Sequence, residues 1–504
     1  MENNLNGTSE KCKEKACRWY AWKEHTHRDY ELEKNVFANV LHTIGKTPLI
    51  KLNKIPQAEG LQCNVFVKVE FFNPGGSIKD RVALRMIEDA ESLEKLTPGC
   101  TIIESSSGNT GIGLAMACAV KGYKCVIVMP DKMSEEKVAV MKLFGAKIVL
   151  TPTESGSDDP DGLIMVAKRL NQEIPNSVIL DQHENSGNPL SHYDGTGEEI
   201  LHQLDGKVDM VVCGVGTGGS ITGISGKVKE RCPQCMIVGV DAEDSVLSQP
   251  EKVKQSDVIF HEVEGIGYDF IPNVFHRHLV DRWIRTNDKM SFQMIRRLIR
   301  EEGILSGGSS GAVLAGAIQS AKELKTGQNC VVILSDGIRN YMNKFVIDNW
   351  LEARMLKEIE NKFDRWWWNH TVKDLNVNKT KHVSNDLSVI DALKLLKTEG
   401  LQHVPISDDS GTLDGFLNLK DLTKKIVSQN CPLNQSIKKV VFKQFHSVVE
   451  TSTLGFVARI LETDEFVAVL NGANHCLGII THMDLLNYIA LNDNNKINVN
   501  GNGI

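Results

Sequence analysis

Lys79 is the residue of this chain best placed for covalent chemistry. It closes the run Asn73-Pro74-Gly75-Gly76-Ser77-Ile78-Lys79, behind a glycine-rich turn that opens an amphipathic segment carrying Val82, Leu84, Met86 and Ile87. A lysine amine drawn out of water loses basicity and becomes nucleophilic, as Schiff-base chemistry requires. Most lysines near glycines are solvated surface charges, so the inference depends on three further segments.

The first is Glu104-Ser105-Ser106-Ser107-Gly108-Asn109-Thr110-Gly111, between a candidate strand and an apolar helix at 112–120. Backbone N–H groups at a helix start form an anion site. Ser106, Ser107 and Thr110 beside Gly108 add hydroxyls suited to a substrate carboxylate, and Asn109 adds an amide. An ordinary N-cap would account for one serine and one glycine, not for the cluster. The second is Gly214-Val215-Gly216-Thr217-Gly218-Gly219-Ser220, again between a strand and a helix. Glycines let the backbone approach a phosphate, with Thr217 and Ser220 supplying hydroxyls. It superficially suggests a dinucleotide fingerprint, but the run is GxGTGGS and no triphosphate-loop lysine follows, which favours the phosphate of a small cofactor. The third is Gly307-Gly308-Ser309-Ser310-Gly311, ahead of an apolar helix at 312–318. A serine there can hydrogen-bond a pyridine nitrogen. A neutral hydroxyl makes the ring a weaker electron sink than a carboxylate would, which favours loss of a β-substituent over transamination. Lysine, amide, phosphate loop and hydroxyl together describe a pyridoxal phosphate site.

The elements that must hold these segments alternate along 41–354. Strands are expected at 65–69, 101–104, 125–129, 147–150, 178–180, 210–213, 236–241 and 330–335, with amphipathic helices between them. That pattern predicts a mainly parallel sheet covered on both faces. A length of 504 residues implies more than one domain. Hydrophobic residues at 41% and charged ones at 24% are ordinary for soluble globular protein. A net charge of −7 argues against nucleic acid and anionic membrane as partners. There is no 18-residue apolar run and no signal-type N-terminus. The twelve cysteines are scattered rather than spaced as a framework, which predicts reduced thiols and a cytoplasmic location.

Residues 1–40 lack a sustained apolar period but carry Cys12, Cys17, His25 and His27 among aromatics. The set fits a zinc site, axial haem ligation, or solvated residues of a flexible tail. Cys232-Pro233-Gln234-Cys235 is a CxxC pair, read either as a redox pair or as two loop thiols. A charged helix is expected at 352–362, running into a linker (355–381) that carries Trp366-Trp367-Trp368 and then polar residues. The tryptophans either anchor the linker to a neighbouring surface or complete the preceding core. Residues 387–490 hold a weak internal repeat: a helix (388–396; 454–461), a strand (404–406; 466–470), then a glycine-led strand running to Asp421 or Asp484. Those aspartates either hold ribose hydroxyls or cap helices. The Asn/Gly-rich tail 491–504 is expected to be disordered.

These segments resemble the β-family (fold type II) pyridoxal phosphate enzymes and, among them, the cystathionine β-synthase family, over roughly 41–354 without a large gap. The block Glu264-Gly265-Ile266-Gly267-Tyr268-Asp269-Phe270 is similar to that family's version of a motif that lacks the tyrosine in cysteine synthases. The tryptophan run and the repeat, which looks like a pair of CBS (Bateman) motifs, are similar to animal members. The resemblance implies two doubly wound α/β subdomains in 41–354 and a regulatory motif pair in 382–490. It implies that Lys79 carries pyridoxal 5'-phosphate and that Asn109 contacts its ring oxygen. Gly216, Thr217, Gly218, Gly219 and Ser220 then surround the phosphate, and Ser309 meets the pyridine nitrogen. Ser106, Ser107, Gly108, Thr110, Gly267 and Tyr268 are the implied substrate contacts.

The implied reaction replaces the hydroxyl of L-serine by L-homocysteine, giving L-cystathionine and water, with hydrogen sulfide from cysteine as a side activity. Haem b is implied in 1–40, with Cys17 (in Cys17-Arg18-Trp19) and His25 as iron ligands and Cys12 and His27 as alternatives. Glu184 and Gly226 stand where vertebrate members have arginines near the haem. S-adenosylmethionine is implied at Thr481 and Asp484, and the short Leu470–Leu477 connection points to a homodimer. The rival readings are a cysteine synthase, a serine or threonine dehydratase, and a ligand-sensing scaffold with an inactive catalytic domain.

Overall fold

The computed structural model describes residues 36–499 except 107, 132, 153–154, 156–158, 250–260, 360, 362–363, 376, 378–381, 409–410, 430–431 and 444. Cys12, Cys17, His25, His27 and Ser107 therefore lie outside the described residues.

The strands are β1 (Leu49–Lys51), β2 (Asn64–Val69), β3 (Thr101–Ser105), β4 (Lys124–Pro130), β5 (Lys147–Thr151), β6 (Ser177–Ile179), β7 (Met210–Gly214), β8 (Met236–Ala242), β9 (Arg282–Thr286) and β10 (Asn329–Leu334). They form two sheets, ordered β1-β2-β10-β7-β8-β9 and β5-β4-β3-β6. Every pairing is parallel except β1 with β2. The central strands read as continuous Val/Ile runs because helices cover both faces, as the buried faces of β3, β4, β7 and β10 show. All eight expected strands are present. β1 and β9 were not expected: β1 has three residues, and β9 (Arg-Trp-Ile-Arg-Thr) is a half-exposed edge whose charges hide its strand character.

The repeat folds as two three-stranded sheets. β11 (Val383–Ser384), β12 (His403–Ser407) and β13 (Leu413–Asn418) form one, and β14 (Ser447–Val448), β15 (Phe466–Leu470) and β16 (Cys476–Thr481) form the other. Each is parallel then antiparallel, and each has its register irregularity at the same place, Ile406/Ser407 and Val469/Leu470. The duplication is therefore structural as well as sequential.

The region between the units differs from expectation. The helix is Asp348–Ala353, and residues 354–359 are not helical. Met355 takes a left-handed φ of 56°, which stops the helix, while Arg354 lies over the Trp350 ring at 4.1 Å. Trp367 and Trp368 are buried with Ala353, Leu454, Val457 and Ile460, so they anchor to the second half of the repeat. At the other end, the helix His482–Val499 runs into the Asn-rich stretch, with no proline or glycine before Gly501 to stop it.

Candidate active site

The glycine-rich segments sit at the carboxyl ends of β3, β7 and β10, where parallel sheets present their helix N-termini to ligands. Lys79 opens the helix Lys79–Ser92, whose start is fixed by a buried ion network. Arg81 pairs with Glu70 at 2.8 Å and with Glu199 at 2.7 Å, and Lys68 reaches Glu199 at 2.7 Å. Burial alone would raise the Glu199 carboxyl, but Arg81 and Lys68 outweigh it and hold it at about 2. The Lys79 amine reaches Thr217 Oγ1 at 3.2 Å. Desolvation lowers it to about 8, so about a tenth is free amine at pH 7. Cys213 lies close enough to feel its charge, but burial pushes that thiol up to about 12 and leaves it inert.

The loop after β7 is a cradle that only glycine fits. A Cβ on Gly216 would lie 2.6 Å from Gly265 O, and one on Gly219 would lie 2.1 Å from Asn188 Oδ1. Thr217 Oγ1 also accepts from Asn188 Nδ2 at 3.1 Å, and the Gly219 N–H points to the same hydroxyl at 3.5 Å. Ser220 Oγ lies 3.0 Å from His192 Nε2, which burial holds well below its usual range and so neutral. Gly218, in the left-handed region at φ 81°, turns the chain into the helix Gly219–Arg231. A cradle whose glycines admit no Cβ and which ends at a helix N-terminus fits a small phosphate, and with Lys79 beside it the residues fit pyridoxal phosphate.

Asn109 and Ser309 stand in the first turns of two helices, Asn109–Lys121 and Gly308–Ala321. Asn109 Nδ2 donates to Asp336 Oδ2 at 2.8 Å. Ser309 is buried, and its Oγ lies 3.9 Å from where a Cβ on Gly265 would be. Tyr268, in the same block as Gly265 and Gly267, stands 3.5 Å from the Cβ position of Gly216, so the block touches the loop after β7. Its ring meets Phe270 and His183 edge-on, and burial raises its phenol. Gly267, at φ 82°, donates its N–H to Val215 O at 2.9 Å.

The hydroxyls around Gly108 are more committed than their composition suggests. Ser106 Oγ accepts from the Gly108 and Gly111 N–H groups, each at 3.1 Å, and Thr110 Oγ1 donates to Gln182 Oε1 at 2.6 Å. They shape the turn, in which Gly108 takes φ 137°, and leave the backbone to face a ligand. Sequence reasoning missed Asp336, Asn340, Tyr341, Lys137, Glu264 in its ionic role, Asn188 and His192. Only Asp336 carried a signal, because it follows the expected strand that becomes β10.

In the repeat, Thr481 lines a cavity of about 500 Å³ between the halves, with Gln402, His403, Lys420, Glu465 and His482. Asp484 turns one carboxylate oxygen to the Thr481 N–H at 2.7 Å and to its hydroxyl at 2.6 Å. Cys232 donates to Gly206 O at 2.9 Å, and burial pushes Cys235 up to about 12. Among the described residues, no three His, Cys, Asp or Glu side chains are grouped to hold a metal ion. No helix among them is long and apolar enough to cross a membrane.

Comparison with known proteins adds to this geometry. The family model described as pyridoxal-phosphate dependent enzyme matches residues 40–336, and the CBS domain model matches 372–428 and 437–491. A cystathionine beta-synthase of Oryctolagus cuniculus is 47% identical over 480 residues, 92% of this chain and 87% of that one. A cysteine synthase of Staphylococcus aureus is 43% identical over 60% of this chain and 95% of its own. Among solved structures, a hydrogen sulfide-producing enzyme from Fusobacterium nucleatum is similar at 39% identity with a TM-score of 0.57. It covers 61% of this chain and all of its own.

Proposed function

From the premise that the chain belongs to the cystathionine β-synthase family of pyridoxal phosphate-dependent lyases, we propose how its own residues join L-serine to L-homocysteine. When bound, the cofactor supplies an electron-withdrawing ring that acidifies the α-carbon of an attached amino acid. Lys79, kept near Thr217 and lowered to about 8, takes that α-proton as free amine and delivers a proton to the departing serine hydroxyl. The homocysteine thiol then gives its proton to the Lys79 amine as its sulfur bonds the β-carbon, Lys79 returns a proton to the α-carbon, and L-cystathionine and water leave.

The cradle Gly216, Thr217, Gly218, Gly219 and Ser220 offers its N–H groups and hydroxyls to the phosphate. Asn109 faces the ring oxygen, and the Ser309 hydroxyl faces the ring nitrogen without adding charge. The turn Ser106, Ser107, Gly108 and Thr110 receives the substrate carboxylate, and Gly267 and Tyr268 close the other side. The observation that carries the reading is a desolvated lysine amine 3.2 Å from the Thr217 hydroxyl, in a loop whose glycines have no room for a Cβ. Lys79→Ala should lose β-replacement by at least about a thousandfold while the fold persists. A variant that retained it would sink the assignment.

Cysteine synthase chemistry is the competing reading, because the catalytic unit alone is similar to such an enzyme. Side-by-side assays with serine plus homocysteine and with O-acetylserine plus sulfide decide between them; the first pair should be preferred. Haem b held by Cys17 and His25 belongs to the same proposal, supported by the Cys17-Arg18-Trp19 spacing. Its mark is a Soret band lost on Cys17→Ser. S-adenosylmethionine in the cavity lined by Thr481, with Asp484 steadying that threonine, predicts heat on titration, and a silent titration rejects it. Assembly as a homodimer is read out by sedimentation.

A further inference from the structure

A side-chain amide can point either way, and its neighbours decide which end faces a ligand. Asn109 has two neighbours of opposite kind. Its Nδ2 donates to Asp336 Oδ2 at 2.8 Å, while its Oδ1 accepts from Asn340 Nδ2 at 3.2 Å. Turned over, the amide would set oxygen against a carboxylate and N–H against N–H. Nδ2 carries two hydrogens and Asp336 uses one, which leaves the second for a ligand.

Asp336 is itself held from several directions. It is 1% exposed, and its Oδ2 also accepts from the Tyr341 hydroxyl at 2.5 Å. Its backbone bridges to Ser77, two residues before Lys79. Its carbonyl accepts from Gly307 N at 3.0 Å and from Ser306 Oγ at 2.7 Å, just ahead of the Ser309 helix. One residue thus joins the end of β10 to the lysine turn, the Asn109 helix and the Ser309 helix. Beyond it, Lys137 Nζ donates to the Tyr341 hydroxyl at 3.2 Å and pairs with Glu264 at 2.6 Å. Lys137 is 2% exposed and belongs to the four-stranded subdomain, whereas Glu264 opens the block that carries Tyr268 in the other subdomain.

We propose that Asp336, opposed by Asn340, is a positioning residue that fixes the Asn109 amide with its nitrogen toward the cofactor ring. Through Tyr341, Lys137 and Glu264 it ties that orientation to the segment closing the substrate side. The proposal rests on the reading that Asn109 contacts the cofactor, and the test separates the two.

Holoenzymes of Asn109→Ala, Asp336→Asn and the double variant are compared by cofactor retention after dilution and by the pH midpoint of the bound cofactor's visible band. Asp336→Asn lets either end of the Asn109 amide face it. Retention should fall about fivefold to tenfold, the size of one net hydrogen bond, and the midpoint should move. In the Asn109→Ala background the same substitution should add nothing. Additive losses would mean that Asp336 acts on the fold rather than through Asn109, which overturns the proposal. An unchanged Asn109→Ala spectrum would instead refute the contact between Asn109 and the cofactor. Should Asp336→Asn not fold, Asn340→Ala removes the opposing neighbour and faces the same additivity test.

Discussion

Asp80 follows Lys79 with its carboxyl buried, and burial pushes it up to about 7 although the Gly75 N–H donates to it at 2.6 Å. The unfolded chain releases that proton near pH ~4, whereas the folded chain holds it until about 7. Folding therefore takes up a proton between those values, and this contribution to stability is lost as pH rises through the window and is level above it. Asp80→Asn should flatten the dependence of the denaturation midpoint on pH between about 4 and 7. An unchanged slope would assign it to another buried carboxyl. Of the single residues, those legible beforehand each combine a chemical type with a local pattern: Lys79 behind its glycines, Thr217 and Ser220 in theirs, Asn109 at a helix start. Asp336 had only its place after an expected strand to mark it, and Lys137 lies about 200 residues from Asp336 and Tyr341, so no local pattern could announce that they meet.

At the level of elements, strands buried on both faces were legible because burial demands unbroken apolar runs; β9 was not, because an edge strand tolerates Arg282 and Arg285. The helix expected at 352–362 failed for a related reason. Its charges suggest a solvated helix, but Glu352 is 3% exposed and meets the Arg459 guanidinium at 2.7 Å. That ion pair joins the helix Asp348–Ala353 to the helix Leu454–Leu461, and Asn349 bonds Glu462 beside it. Arg459 also lies over the Trp368 ring at 5.0 Å. Removing one member of a buried pair strands the other charge, at a cost of about 3–5 kcal/mol. Arg459→Ala should split thermal unfolding into two calorimetric transitions, the repeat melting first. A single transition at the original temperature would show that the pair contributes nothing to holding the units together.

For the whole molecule, the boundary that matters is where Trp366, Trp367 and Trp368 belong. Trp367 and Trp368 share a core with Val372, Val448 and Leu454, and Gly455 lies against the Trp368 ring, where a Cβ would come within 2.5 Å. A chain ending near residue 356 should keep the cofactor's visible absorbance, since the catalytic unit has its own core. One ending at 371 retains the tryptophans without their cover and should aggregate, as unmatched apolar patches do. Light scattering on the two truncations decides, and equal solubility would reject this boundary. The same packing gives the protein an intrinsic optical gauge. Of its seven tryptophans, Trp350, Trp366, Trp367 and Trp368 flank the junction, and arginines lie over the rings of Trp350, Trp367 and Trp368. Indole emission shifts to the red when water replaces a packed neighbour, so any ligand that loosens the second half of the repeat from the catalytic unit would announce itself as a change in colour, without a label.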